Sequence, residues 1–225
     1  TLISKDEIKN RLLVEGQDDG YVCSHLLRCY GIPVRDPQTK GPPVKGEIDI
    51  QDRKGIENLL GTLKADLKGS EPRRLGILVD ADQNLDTRWQ SFVTILKEFY
   101  STVPDYPSPE GTIIKEEGQP PIGIWLMPDN RLPGMLEHFC SFMVPSDDVL
   151  WPIADAILQE VVKQDCRFRE SYRMKAHIHT WLAWQKEPGK PLAQAITKRF
   201  FDPKTAHAQQ FVKWICQLFE IEQVI

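Results

Sequence analysis

Two apolar runs, each closed by acids, constrain this chain more than any other feature in it. Leu12-Leu13-Val14 leads into Glu15-Gly16, and about 65 residues further on Ile77-Leu78-Val79 leads into Asp80-Ala81-Asp82. Runs this short and continuously apolar suit strands covered on both faces. Each strand then delivers carboxylates to the edge where it ends, and Gly16 permits the tight exit that brings backbone near a ligand. Carboxylates gathered at one edge without matching cations repel one another. Mg²⁺ or Mn²⁺ resolves such repulsion, because hard ions take carboxylate and water oxygens.

The residues between and after the runs set the architecture. Tyr21, Val22, His25, Leu26 and Tyr30 recur at helical spacing, with Asp18 placed as an N-cap. Residues 33–46, rich in proline and glycine, predict a loop, and Glu47–Gln51 alternates as a short strand does. Ile56, Leu59, Leu60, Leu63 and Leu67 share a helical face, Leu75–Val79 is the next strand, and Thr87–Tyr100 a further helix. Residues 104–121 predict a long loop of the kind that serves as a lid or binding segment, before a strand at Ile122–Met127. Strand and helix alternate throughout this part, so the fold class is α/β with a mainly parallel sheet flanked by helices. Ligands in such sheets gather beyond the carboxyl ends of the strands, where Glu15, Asp80, Asp82 and Asp129 stand. From residue 146 the pattern is helical only, over 147–163, 168–185, 192–200 and 205–219. The expected organisation is an α/β domain at 1–145 with a helical extension at 146–225 packed on it.

Composition narrows the classes. With 41% hydrophobic and 27% charged residues in 225, the chain has the balance of a soluble globular protein. No apolar run approaches the ~20 residues of a membrane helix, and residues 1–6 lack the basic-then-apolar order of a secretory signal. Five scattered cysteines without a C-x-x-C pair point to reduced thiols in a cytoplasmic protein. A net charge of −4 argues against coating of nucleic acid by a global positive field.

A strand ending in Val14-Glu15-Gly16, a following helix and a later strand ending in Asp80-x-Asp82 resemble the Toprim (topoisomerase–primase) pattern over roughly residues 10–145. Trp125–Asn130 with Pro133-Gly134-Met135-Leu136-Glu137, and Lys175–Gln185 with Pro188-Gly189-Lys190-Pro191, look like compact stand-alone bacterial Toprim-related proteins akin to OLD-type (overcoming lysogenization defect) nucleases. The resemblance implies a Toprim-like sheet and a Mg²⁺- or Mn²⁺-dependent nuclease cutting DNA or RNA, in defence or repair. Glu15, Asp80 and Asp82 would be its catalytic and metal-binding acids. In OLD-type enzymes a late glutamate and a lysine supplement them, which brings in Glu137 as a ligand and Lys175 as a catalytic cation. No segment resembles a Walker A loop, so an ATP-driven step would need a partner ATPase. A homo-oligomer is the other partner considered. The alternative function is a non-catalytic Toprim-fold scaffold docking on a partner ATPase or nucleic acid. The chain is too short for the extra domains of a topoisomerase or the template-binding apparatus of a primase.

Several residues carry two readings. Glu15 is a metal ligand or an acid–base group, and Asp19 joins the metal shell as the acid four residues after it. Glu137 is a ligand or a first-turn acid answering a helix dipole; Asp129 is a ligand or a turn residue. Lys175 and Lys190 face a phosphate or solvent. His177 and His179, two apart, lie on different helix faces. Arg167, Arg169, Arg173 and Lys175 form a solvated face or a track for a phosphate backbone, and Trp181, Trp184, Phe200 and Phe201 are expected in the core.

Overall fold

In the computed structural model, which describes residues 9–69 and 73–222, the run Arg73–Asp80 forms the central strand of a six-stranded sheet. The strands are β1 (Lys9–Val14), β2 (Val34–Arg35), β3 (Ile48–Asp52), β4 (Arg73–Asp80), β5 (Thr112–Ile114) and β6 (Ile122–Met127), in the order β2-β3-β1-β4-β6-β5. All neighbours pair in parallel except β5, which runs antiparallel along β6. β1 and β4 are adjacent, with Val14 opposite Leu78, so both acidic ends leave the sheet on one edge. The fold is the expected α/β class, with a mainly parallel sheet flanked by helices and followed by C-terminal helices.

Strand periodicity divides the core into two layers. Leu13, Leu75, Ile77 and Val79 point to one face, where they pack with α2 (Ile56–Lys68) and α3 (Leu85–Leu96). Leu12, Val14 and Leu78 point to the other, under α1 (Gln17–Cys29) and α4 (Leu136–Ser141). Residues of α5 (Leu150–Asp165), α6 (Arg173–Leu182), α7 (Leu192–Thr197) and α8 (Ala206–Phe219) enter this second layer, so the C-terminal helices share a core with the sheet.

The closest approach of α8 to the sheet depends on two glycines that face each other across β4 and β6, Gly76 and Gly123. A Cβ on Gly123 would stand 2.6 Å from Leu218 and 3.0 Å from Trp214; one on Gly76 would stand 2.8 Å from Leu12. Gly123→Val is therefore expected to destabilise the protein by about 1–3 kcal/mol through overpacking, read as a lower urea midpoint at unchanged slope.

Several sequence expectations need correction. The loop at 33–46 contains the short edge strand β2, and the segment at 104–121 contains β5, so part of that segment is sheet and not a free lid. The helix at 87–100 begins earlier, with Asn84 capping α3 by accepting from the Thr87 N–H at 2.8 Å. The N-cap of α1 is Gly16, not Asp18; Asp18 lies exposed in the first turn. Trp181 and Phe201 are fully buried, but Trp184 reaches the surface. No helix among the described residues is long and apolar enough to cross a membrane.

Candidate functional site

Three local devices bring acids together at the edge where β1 and β4 end. The first is the turn into α1. Gly16 caps the helix in extended conformation, and its N–H donates to Asp19 Oδ2 at 3.0 Å. This folds Asp19 back toward Glu15 and leaves it only 8% exposed. Its other oxygen, Oδ1, is buried and has no hydrogen-bond partner.

The second device is the exit of β4. Asp80 Oδ1 accepts from the Leu136 N–H at 2.9 Å, and the Asp80 N–H points at Glu15 Oε2 at 3.4 Å. The third is the return of the chain after β6. Buried Asn130 accepts from the Leu126 N–H at 2.8 Å, and Asp129 accepts from the N–H groups of Arg131 and Leu132, so Asp129 orders the turn. The Asp82 N–H donates to the Gly134 carbonyl at 2.8 Å, which ties this returning segment to the end of β4. α4 then starts beside Asp80 and buries Glu137, 5% exposed, in its first turn.

Burial and mutual repulsion shift the protonation of these groups. Burial raises the Asp80 pKa to about 9, and Asp19, Glu15, Glu137 and Asp82 add to the shift. Burial, then Glu15 and Glu137, raise Asp19 to about 7 against the pull of backbone N–H groups. Glu15 is also raised, by burial first, with Arg88 opposing and Asp82 reinforcing. The Cys23 and Cys140 thiols are held neutral by burial and then by the same carboxylates, so the donors here are oxygens and not thiolates.

Two cations stand against the acids. Lys175 from α6 pairs with Glu137 Oε1 at 3.1 Å while its side chain stays half exposed. Burial opposes its charge, yet Glu137, Asp18 and Asp80 raise its pKa. Arg88 from α3 donates to the Asp80 carbonyl at 2.9 Å and closes an ion pair with Asp82. Asp82 sits in the left-handed region at φ 54°, and this turn directs its carboxylate outward to Arg88. The structure thus gathers Glu15, Asp19, Asp80 and Glu137 with Lys175, and leaves Asp82 at the rim.

Other candidates fall elsewhere. Lys190 pairs with Glu187 at 3.2 Å. His177 is buried, stacks on Trp151 at 3.7 Å and approaches the Trp151 carbonyl at 3.0 Å, while His179 is exposed on another face. Arg167 pairs with Asp165 and Arg173 with Asp155, which suits the solvated-face reading of this cluster better than the alternative of a track for a phosphate backbone. Nothing in the linear pattern distinguishes Arg88 from other helical arginines; its importance comes from the turn at Asp82.

A family model described as a protein of unknown function, DUF3226, matches residues 9–220. The chain belongs to this family. The matched span takes in every acid of the cluster together with Lys175 and α8. No curated protein and no solved structure matches the chain. Among the described residues of this DUF3226 protein, no group of three or more Asp, Glu, His or Cys side chains is arranged so as to hold a metal ion. What the site offers is a partly buried group of hard oxygen donors with one oxygen lacking any partner, flanked by Lys175 and the Asp82–Arg88 pair.

Proposed function

We propose that this protein is a Mg²⁺- or Mn²⁺-dependent phosphodiester hydrolase acting on DNA or RNA. The observation that carries the reading is the convergence of half-buried Glu15 and Asp80 with buried Asp19 and Glu137, with Asp19 Oδ1 left without a partner. Such a cluster costs stability, because Asp19 and Asp80, which no cation among the described residues pairs with directly, must keep a proton or carry a poorly compensated charge. An all-oxygen donor set fits a hard divalent ion and does not fit a soft one. The strand-end arrangement of Glu15 and Asp80 and the likeness to the Toprim pattern support the same reading.

Glu15, Asp19, Asp80 and Glu137 would hold the ion by side-chain rotation, with the Leu136 N–H fixing Asp80 and the Gly16 N–H fixing Asp19. A bound ion there supplies Lewis acidity toward a phosphodiester oxygen. Lys175, half exposed and anchored on Glu137, is placed to balance phosphate charge. Asp82 joins the site only by leaving Arg88, and Arg88 then becomes a second cation for phosphate.

Arg88→Ala tests this exchange. It removes the competing cation from Asp82 and from Glu15, so Mn²⁺ affinity should rise several-fold in calorimetric titration while cleavage of nucleic acid falls. Unchanged Mn²⁺ affinity would remove Arg88 from the account.

The function itself is tested with plasmid and single-stranded DNA and RNA, incubated with Mg²⁺ or Mn²⁺. Cleavage by the wild type and a loss of about 100-fold or more in Asp80→Ala is expected. Equal residual cleavage in both proteins rules the nuclease out. If the wild type binds Mn²⁺ but cuts nothing, the site is that of a metal-holding scaffold, a reading favoured by the Asp82–Arg88 ion pair.

A further inference from the structure

The helix α5 is apolar on two sides. Ala154 and Leu158 are buried and seat it on the core. On the outer side Val149, just before the helix, and Ile153, Ile157 and Val161 recur every fourth residue and are 72%, 47%, 45% and 43% exposed. Pro152, Ala156 and Phe168 extend the patch into a shallow groove of about 880 Å³. Single exposed aliphatic side chains are ordinary, but a continuous stripe along a helix marks a contact surface.

We infer that this stripe is a twofold interface between two copies of the chain, formed by α5 packing antiparallel on itself. The stripe is symmetric in sequence about residue 155. In an antiparallel pair centred there, Ile153 meets Ile157 of the other copy and Val149 meets Val161, so both halves of the stripe are covered. The same register sets exposed Asp147, ahead of the helix, against Lys163 near its end. A parallel pair would set Asp147 against Asp147 and Lys163 against Lys163, which repels. Antiparallel packing also places the two helix dipoles head to tail. Among the described residues Lys163 pairs with exposed Glu160 alone, a pair of little cost to exchange. Ala156, next to the twofold axis, is small enough to let the helices approach closely. An interface of this type is isologous and closes at two copies.

The test is sedimentation velocity of the full chain over a range of concentrations. The wild type should sediment as a dimer. Ile153→Asp and Ile157→Asp should each weaken self-association by about 30-fold or more, with far-UV circular dichroism and the melting transition retained. Because these variants change the core-bearing helix, a second set uses only exposed charges. Asp147→Lys and Lys163→Glu should each weaken the dimer several-fold, and the two together should restore it. A wild type that stays monomeric, a dimer that survives Ile153→Asp and Ile157→Asp, or a double charge reversal that fails to restore association would overturn the interface.

Discussion

Asp80→Asn should make the metal-free protein more stable while removing its response to Mn²⁺. The asparagine keeps an oxygen to accept from the Leu136 N–H, now bonded to Asp80 Oδ1 at 2.9 Å. It removes the charge that Asp19, Glu15, Glu137 and Asp82 oppose. The expected gain is about 1–3 kcal/mol, or roughly 3–10 °C in melting temperature for a chain of this size. The comparison is made in chelator at mildly alkaline pH, where the uncompensated carboxylates weigh most. In the wild type, saturating Mn²⁺ recovers stability by binding the native state alone, about 2.7 kcal/mol at one hundred times the dissociation constant. Asp80→Asn should show no such shift. A variant that melts lower than wild type in chelator would mean that Asp80 is a structural carboxylate. Such a trade of stability for an active arrangement is common where function needs groups that folding disfavours.

The second large effect is on pH dependence. Asp19 and Asp80 have native pKa values raised to about 7 and about 9, well above their ordinary values in an unfolded chain. Between the unfolded and native values the native state holds protons that the unfolded state has released. The stability associated with each group is therefore fully present below the unfolded pKa, near 4, and is lost as pH rises through the native one. Each group lowers stability by up to about 1.4 kcal/mol per pH unit inside its window. Because the carboxylates interact, the cluster titrates as a unit and not as separate sites. Thermal melts in chelator from pH 5 to pH 8 should fall steadily. Added Mn²⁺ should flatten the decline, since the ion displaces the same protons and binds more tightly as pH rises. A metal-free melting temperature that rises across this range would contradict the picture of an uncompensated cluster.

The parts of the fold legible in sequence are those where burial is written as an unbroken apolar run. Leu75–Val79 and Ile122–Met127 are covered on both faces, so nothing but a strand suits them, and the helices between follow from their 3.6-residue spacing. β2 and β5 escaped because two- and three-residue edge strands carry no period, and both lie in proline-rich segments that otherwise signal loops. They exist through tertiary pairing with β3 and β6.

The site divides in the same way. Glu15 and Asp80 are legible because each ends a buried strand, and the strand fixes where it ends. Asp82 is not, because its direction depends on a left-handed turn and on Arg88, a helix residue six positions on. The cap of α1 misled for a related reason. Asp18 has the residue type of an N-cap, but Gly16 occupies that place, and Asp19 rather than Asp18 folds back on the turn and is buried. The Glu137–Lys175 pair joins α4 to α6, a contact that depends on how the helices pack and not on any local pattern.

Whether Glu15, Asp19, Asp80 and Glu137 form a binding site for a hard divalent cation is read by calorimetric titration of Mn²⁺ into chelator-stripped protein. Saturable binding is expected in the wild type, with a release of protons that grows smaller as pH rises and with loss of binding in both Asp80→Asn and Asp19→Asn. Absence of saturable binding in a folded wild type, or binding that persists unchanged in both variants, would contradict such a site.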